Sequence, residues 1–344
     1  MNKQIIASQV INTAMGALAI TADEANQAIE TIRSAKAVNT IRAHESRLKV
    51  FRAWLASRGM QLMDGIPVPA PVVVLFLNDR WNQGKKFATI DADMASIGYW
   101  HAEQGIESPS REKAVRDCMA GLKRRTAESI KNGDAARKAT CADAAVADII
   151  IRLIRTIDAS AANETIRLRD RAMLLLGFAM GARRSEIAAL HVNHIEWHPQ
   201  GIIVHVWASK TGDRTCEISF GDDANLCPIS ALRAWMDHAD IAEGIVFRQI
   251  AITPRGDRRA IIRMDGINGQ VVNRTLAKWA DAAGLNTGRW TAHSLRAGFC
   301  VQGEIDGIPE SQLRAQTGHK SAAYHGYAQR AQAFKIRRNA SLRA

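Results

Sequence analysis

The stretch 291-TAHSLRAGFC-300 sets His293 and Arg296 three residues apart on a segment otherwise made largely of small and apolar residues. On a helix, residues at that spacing share a face, so an imidazole and a guanidinium point the same way and can hold an anion between them. Working outward, three more segments of the C-terminal part carry polar groups of the same kind. The segment 181-GARRSEIAAL-190 gives Arg183 and Glu186, again three apart. The β-branched run 201-GIIVHVWAS-209, the turn 210-KTGD-213 and the run 215-TCEISF-220 read as a hairpin with Lys210 in its turn. Last comes 316-QTGHKSAAYHGY-327, with His319, Tyr324 and Tyr327.

This set suits a phosphodiester. Two arginines can each fork onto non-bridging phosphate oxygens and offset the charge that grows in a pentacoordinate transition state. A tyrosine hydroxyl, with an unperturbed pKa of about 10, attacks only where cations or a base favour the phenolate. A lysine on a hairpin can protonate the departing 5′-oxygen as a general acid. Each residue also has an ordinary structural use: an intrahelical Arg–Glu pair, an exposed turn lysine, a histidine bonded to backbone. His191, His194 and His198 lack a carboxylate or thiolate at ligand spacing, so neither metal nor cofactor is expected.

Composition sets the frame. The chain has 344 residues, 47% of them hydrophobic and 23% charged, and a net charge of +12, which favours a polyanionic partner. No apolar run reaches the roughly 18 residues of a membrane span, and the N-terminus lacks the pattern of a signal peptide, so a cytoplasmic protein is expected. Five cysteines, odd in number and without CxxC spacing, read as reduced and structural.

The pattern of breaks divides the chain into an extension (1–37), a helical domain (38–126), a polar basic linker (127–141) and a mostly helical second domain with one hairpin (142–344). In the first domain Asn39 or Thr40 is placed to cap a helix with Ile41, Leu48, Phe51 and Leu55 on one side, and Ser110 to cap the fourth helix. Arg47, Arg52 and Arg124 are its candidates for DNA contact.

Together the four segments resemble the tyrosine recombinases, or phage integrase family, and among them the Cre-like members. GARRSEIAAL is similar to the first arginine box, ASKTG to the β-hairpin lysine, HSLRAG to the His-x-x-Arg box and TGHKS to the Gly-His box, all in family order. The resemblance extends over residues 38 to 344 and implies a mainly α fold: a helical core-binding domain and a mixed catalytic domain with a small sheet, closing on DNA as a C-shaped clamp. It implies Arg183, Lys210, His293, Arg296 and His319 as the phosphate-activating set, with Glu186 orienting its neighbours. The nucleophile follows the Gly-His histidine by nine residues in most members; here Tyr327 follows by eight and Tyr324 by five, and the continuation YAQR favours Tyr327. The expected reaction is site-specific recombination through a 3′-phosphotyrosyl link and a Holliday junction, by a homotetramer on two double-stranded sites built of inverted repeats around a spacer. A final helix with Phe334 and Ile336 is expected to dock on a neighbouring protomer or on its own domain. The rivals are a type IB topoisomerase and a non-catalytic DNA-binding relative.

Overall fold

The computed structural model describes residues 23–24, 26–27, 30–31, 37–134, 136, 142–161, 163–207, 212–253, 259–285, 289–320 and 324–327. Lys210 and the C-terminal segment with Phe334 and Ile336 lie outside the described residues. The chain divides into two compact units, Met1–Thr140 and Cys141–Ala344. No helix among the described residues is long and apolar enough to cross a membrane.

The first unit is helical: α1 (Val38–Ala56), α2 (Ala70–Asn82), α3 (Phe87–Glu103) and α4 (Lys113–Lys131). Leu48, Phe51, Trp54 and Leu55 of α1 close on Val73, Phe76 and Leu77 of α2 and on Ile90 and Ile97 of α3. Each such side chain, fully buried, contributes roughly 1.5–3 kcal/mol. The expected caps are not used. Helix α1 starts at Val38 without a side-chain cap, so Asn39 and Thr40 lie inside it. Helix α4 starts after Glu112, and Ser110 instead sits in a 3-10 turn where its N–H donates to Ser108 Oγ. That helix also runs through Lys131, into the stretch read as linker, because Leu122 and Thr126 keep a buried face along it.

The second unit is built around α6 (Glu164–Ala179), buried nearly all round from Arg169 to Gly177 and capped by Asn163, whose side chain accepts from the Ile166 N–H at 2.9 Å. Around it stand α5 (Ala147–Ser160), the short α7 (Arg184–Ala188), α8 (Pro228–His238), α9 (Gly269–Ala282), α10 (Ala292–Asp306) and α11 (Glu310–Thr317). The expected single hairpin is two sheets. Strands β1 (Ile195–His198), β2 (Gly201–Val206) and β3 (Arg214–Ser219) form an antiparallel sheet in that order, and β4 (Arg248–Ile252) pairs with β5 (Ala260–Gly266). β1 was hidden by its polar residues: only Ile195 of the four is buried. In β4 and β5 few side chains are buried, which blurs the alternation a sequence reading needs.

Candidate active site

Gly181 ends the turn after α6 with φ +53, a conformation that favours glycine, and a Cβ there would meet Thr317 Cγ2 at 2.6 Å. Its carbonyl accepts from Arg296 Nη1 at 2.9 Å. Two residues on, Arg183 caps α7 and is held by Glu186, whose carboxylate accepts from the Arg183 N–H at 2.8 Å and from Nη1 at 2.6 Å. The glycine-x-arginine spacing thus has a physical cause: the glycine lets the turn pass under α11 and offers its oxygen to the second arginine.

Helix α10 brings the opening segment to the same place. Thr291 and Ser294 share a capping box at its start. Arg296 is buried, with 2% of its surface exposed, and its Nη2 has no hydrogen-bond partner among the described residues. Burial, and then the Arg183 charge, lower its pKa to about 10. His293 stays exposed on the preceding turn. Gly298, in the same segment, lies against the Ala145 backbone, where a Cβ would come within 2.0 Å of the Ala145 oxygen. The two residues of the opening segment therefore divide: Arg296 faces inward and His293 outward.

His293 Nε2 lies 2.8 Å from the Tyr327 hydroxyl. Tyr327 is 9% exposed, and its ring sits 5.5 Å from that of His319. Tyr324 is fully buried and donates to Glu304 Oε1 at 2.6 Å. Burial and the Glu304 carboxylate push its hydroxyl far above the usual phenol range. His319 is half-buried, its pKa lowered to about 3, first by burial and then by Arg296, Arg183 and His293. The Thr317 hydroxyl donates to the Leu313 carbonyl at 2.6 Å and lies 2.8 Å from His319 Nδ1. With the single hydroxyl proton on Leu313, Nδ1 carries the ring proton and Nε2 the lone pair.

Sequence reading missed Arg214. It opens β3, donates from Nη2 to Glu186 Oε2 at 2.6 Å, and leaves Nε buried without a partner among the described residues. Burial raises the pKa of Glu186, but the Arg214 charge and the bonds from Arg183 outweigh it, so the net shift is downward. Three arginines, Arg183, Arg214 and Arg296, thus surround one carboxylate. In the first unit, Arg52 and Arg124 are exposed. Arg47, a candidate for DNA contact, is tied inward instead, to Asp93 Oδ1 at 2.8 Å and the Thr89 carbonyl at 3.2 Å. The buried Asp93 draws it in.

The buried Arg296, the half-buried Arg183, the tyrosine–histidine contact and the Gly-His turn thus come together on one helical scaffold. The sequence profile of the phage integrase family matches residues 149–331, just over half the chain. The chain belongs to that family. It is 26% identical over 313 residues to an integrase/recombinase xerD homolog of Selenomonas ruminantium, covering 88% of this chain and 85% of that protein. Its fold is similar to that of the XerH site-specific recombinase bound to difH, with a TM-score of 0.60 and 14% identity over 97% of this chain and 87% of that one. It is also similar to the lambda integrase tetramer bound to a Holliday junction, with a TM-score of 0.52 and 18% identity over 85% of this chain and 75% of that one.

Proposed function

We propose that this tyrosine recombinase cleaves and rejoins duplex DNA at a specific site through Tyr327. The observation that carries the reading is the cluster of Arg183, Arg214 and Arg296 around the single buried carboxylate of Glu186. Three positive charges against one negative leave about two uncompensated, which matches the doubly charged pentacoordinate phosphorus that forms when a phenolate attacks a phosphodiester. Arg296 Nη2, buried without a partner, supplies a donor for that charge.

In this reading the Tyr327 oxygen bonds to phosphorus as its proton passes to His293 Nε2, 2.8 Å away. The bond from phosphorus to the 5′-oxygen breaks, leaving a 3′-phosphotyrosyl link. Lys210 protonates the 5′-oxygen, the role its resemblance implies. His319, neutral at working pH, accepts rather than donates through Nε2 unless the incoming phosphate raises its pKa. The 5′-hydroxyl of a partner duplex reverses the step, and the ester energy stored in the link makes an external energy source unnecessary. Four protomers on two sites, exchanging strands through a Holliday junction, complete the reading; the similarity to the lambda integrase tetramer bound to a Holliday junction supports this part.

The test is covalent trapping on nicked duplexes. Wild-type protein and Tyr324→Phe are expected to form denaturant-resistant DNA adducts, mapped to Tyr327, and Tyr327→Phe none. An adduct elsewhere would overturn the nucleophile. Specific binding without any adduct would favour a non-catalytic relative. Plasmid relaxation without strand exchange would point to a topoisomerase.

A further inference from the structure

We propose that Arg214 is a positioning residue for strand cleavage: it holds Glu186 as an ionised bridge that fixes the Arg183 guanidinium, and it ties the root of the β2–β3 hairpin to the Gly-His segment. The inference rests on the recombinase reading above.

One guanidinium joins three of the four site segments. Arg214 faces Val206 across the hairpin at the point where the two strands begin to pair. Its Nη2 donates to Glu186 in the first arginine segment at 2.6 Å. Its Nη1 donates to the Gln316 carbonyl at 2.5 Å and also contacts Cys216 Sγ. Gln316 stands directly before Thr317, Gly318 and His319, and its side chain is itself fixed: Nε2 donates to the Ala179 and Glu217 carbonyls, and Oε1 accepts from the Glu217 N–H. A shift of Arg214 would therefore reach both Arg183 and His319.

The placement is costly for the fold, which argues for a use. Arg214, Cys216 and Ile218 share the inward face of β3, and the last two are core residues. An apolar side chain would suit that face, whereas the Arg214 and Glu186 side chains keep only 6% and 5% exposure. Glu186 is faced by Arg183 from its own helix, by Arg214 and Cys216 from β3, and by Arg296 from α10. The thiol of Cys216 is pushed up to about 11 by burial. Within the cluster, then, Glu186 is the group whose pKa would rise once Arg214 is lost, because the Arg214 charge is the largest influence that opposes its burial. A neutral Glu186 would loosen Arg183.

The experiment measures adduct formation from pH 5.5 to 9 for wild type, Arg214→Gln, Arg214→Lys, Glu186→Gln and the double variant Arg214→Gln/Glu186→Gln. Arg214→Gln is expected to lower cleavage about 10- to 100-fold at pH 7, with DNA binding changed less than about threefold, and to regain rate as pH rises. Arg214→Lys should recover part of the loss. The double variant should lose less than the product of the two single losses, because Arg214 acts in part through Glu186 and only its tie to Gln316 adds a further loss. Losses that multiply in the double variant, with a wild-type pH profile in Arg214→Gln, would overturn the proposal, as would undiminished cleavage by Arg214→Gln. If Arg214→Gln does not fold, Arg214→Lys alone and combined with Glu186→Gln carries the same comparison. Absence of adduct from the wild type would instead overturn the recombinase reading on which this role depends.

Discussion

Each unit gathers arginines around one buried carboxylate, and the two clusters are finished differently. In the first unit Asp93 accepts from Arg47 and from Arg80 Nε, both at 2.8 Å, while Arg80 Nη1 donates to Gln83 and Arg47 also reaches the Thr89 carbonyl. No buried atom of this set lacks a partner among the described residues. In the second unit Glu186 serves Arg183 and Arg214, yet Arg214 Nε and Arg296 Nη2 are buried with no partner among the described residues. A closed network holds a fold together; an open one, kept at a desolvation cost, is shaped for a charge that arrives later.

The sharpest way to break that contrast is Arg296→Met. Among the described residues its side chain bonds only to the Gly181 carbonyl, so thermal stability should hold or rise slightly, while adduct formation should fall about 10³-fold. Calorimetry beside the trapping assay reads both. Cleavage within tenfold of wild type would remove Arg296 from the phosphate clamp. The converse holds in the first unit, where Asp93→Ala should cost about 3–5 kcal/mol in urea unfolding, because it leaves Arg80 buried and uncompensated. A loss below about 1 kcal/mol would mean that the two clusters are not different in kind.

The tyrosines repeat the contrast on a smaller scale. Tyr324 ends on Glu304 in a pocket formed with Ala297, Cys300 and Leu313, and Tyr327 ends on His293 at the edge of the same pocket. Tyr324→Phe should therefore cost about 1–2 kcal/mol of stability through the lost bond and leave cleavage within about threefold. A cleavage loss as large as that of Tyr327→Phe would sink the assignment of Tyr324 to the scaffold.

What sequence could show follows from the same division. Arg183, His293, Arg296, His319 and the tyrosines were legible because they sit in short segments whose spacing is set by a helix face or a tight glycine turn. Arg214 was not: nothing near it in sequence marks it, and its role comes from Glu186 and Gln316, which lie distant in the chain and close only in the fold. Arg47 misled for the related reason that Asp93, which draws it inward, lies on another helix. The helices of the first unit followed from apolar periodicity, whereas β1, β4 and β5 bury too little to leave a pattern. Capping residues misplaced the starts of α1 and α4, since several polar residues stand near each start and only tertiary packing selects one.

The smallest effect separates two histidines, one buried and one half-buried. His101 in the first unit is closed: its Nε2 accepts from the Val68 N–H at 3.0 Å and Nδ1 meets the Ile97 carbonyl at 2.7 Å. Burial lowers its pKa. His319 is also held neutral, its pKa lowered to about 3 by burial and by the cations beside it. In both cases the unfolded chain takes up a proton near pH 6.5 that the folded protein refuses, so stability is full above that pH and falls as pH drops toward the folded value. The origins differ, and sulfate exposes the difference. Bound among Arg183, Arg214 and Arg296, it should raise the His319 pKa and flatten the acid slope between pH 6.5 and 4.5, while the burial that governs His101 is untouched. His319→Gln should flatten the slope to a similar degree and abolish the sulfate effect. An equal sulfate effect in wild type and His319→Gln would show that the open cluster does not communicate with His319 through charge.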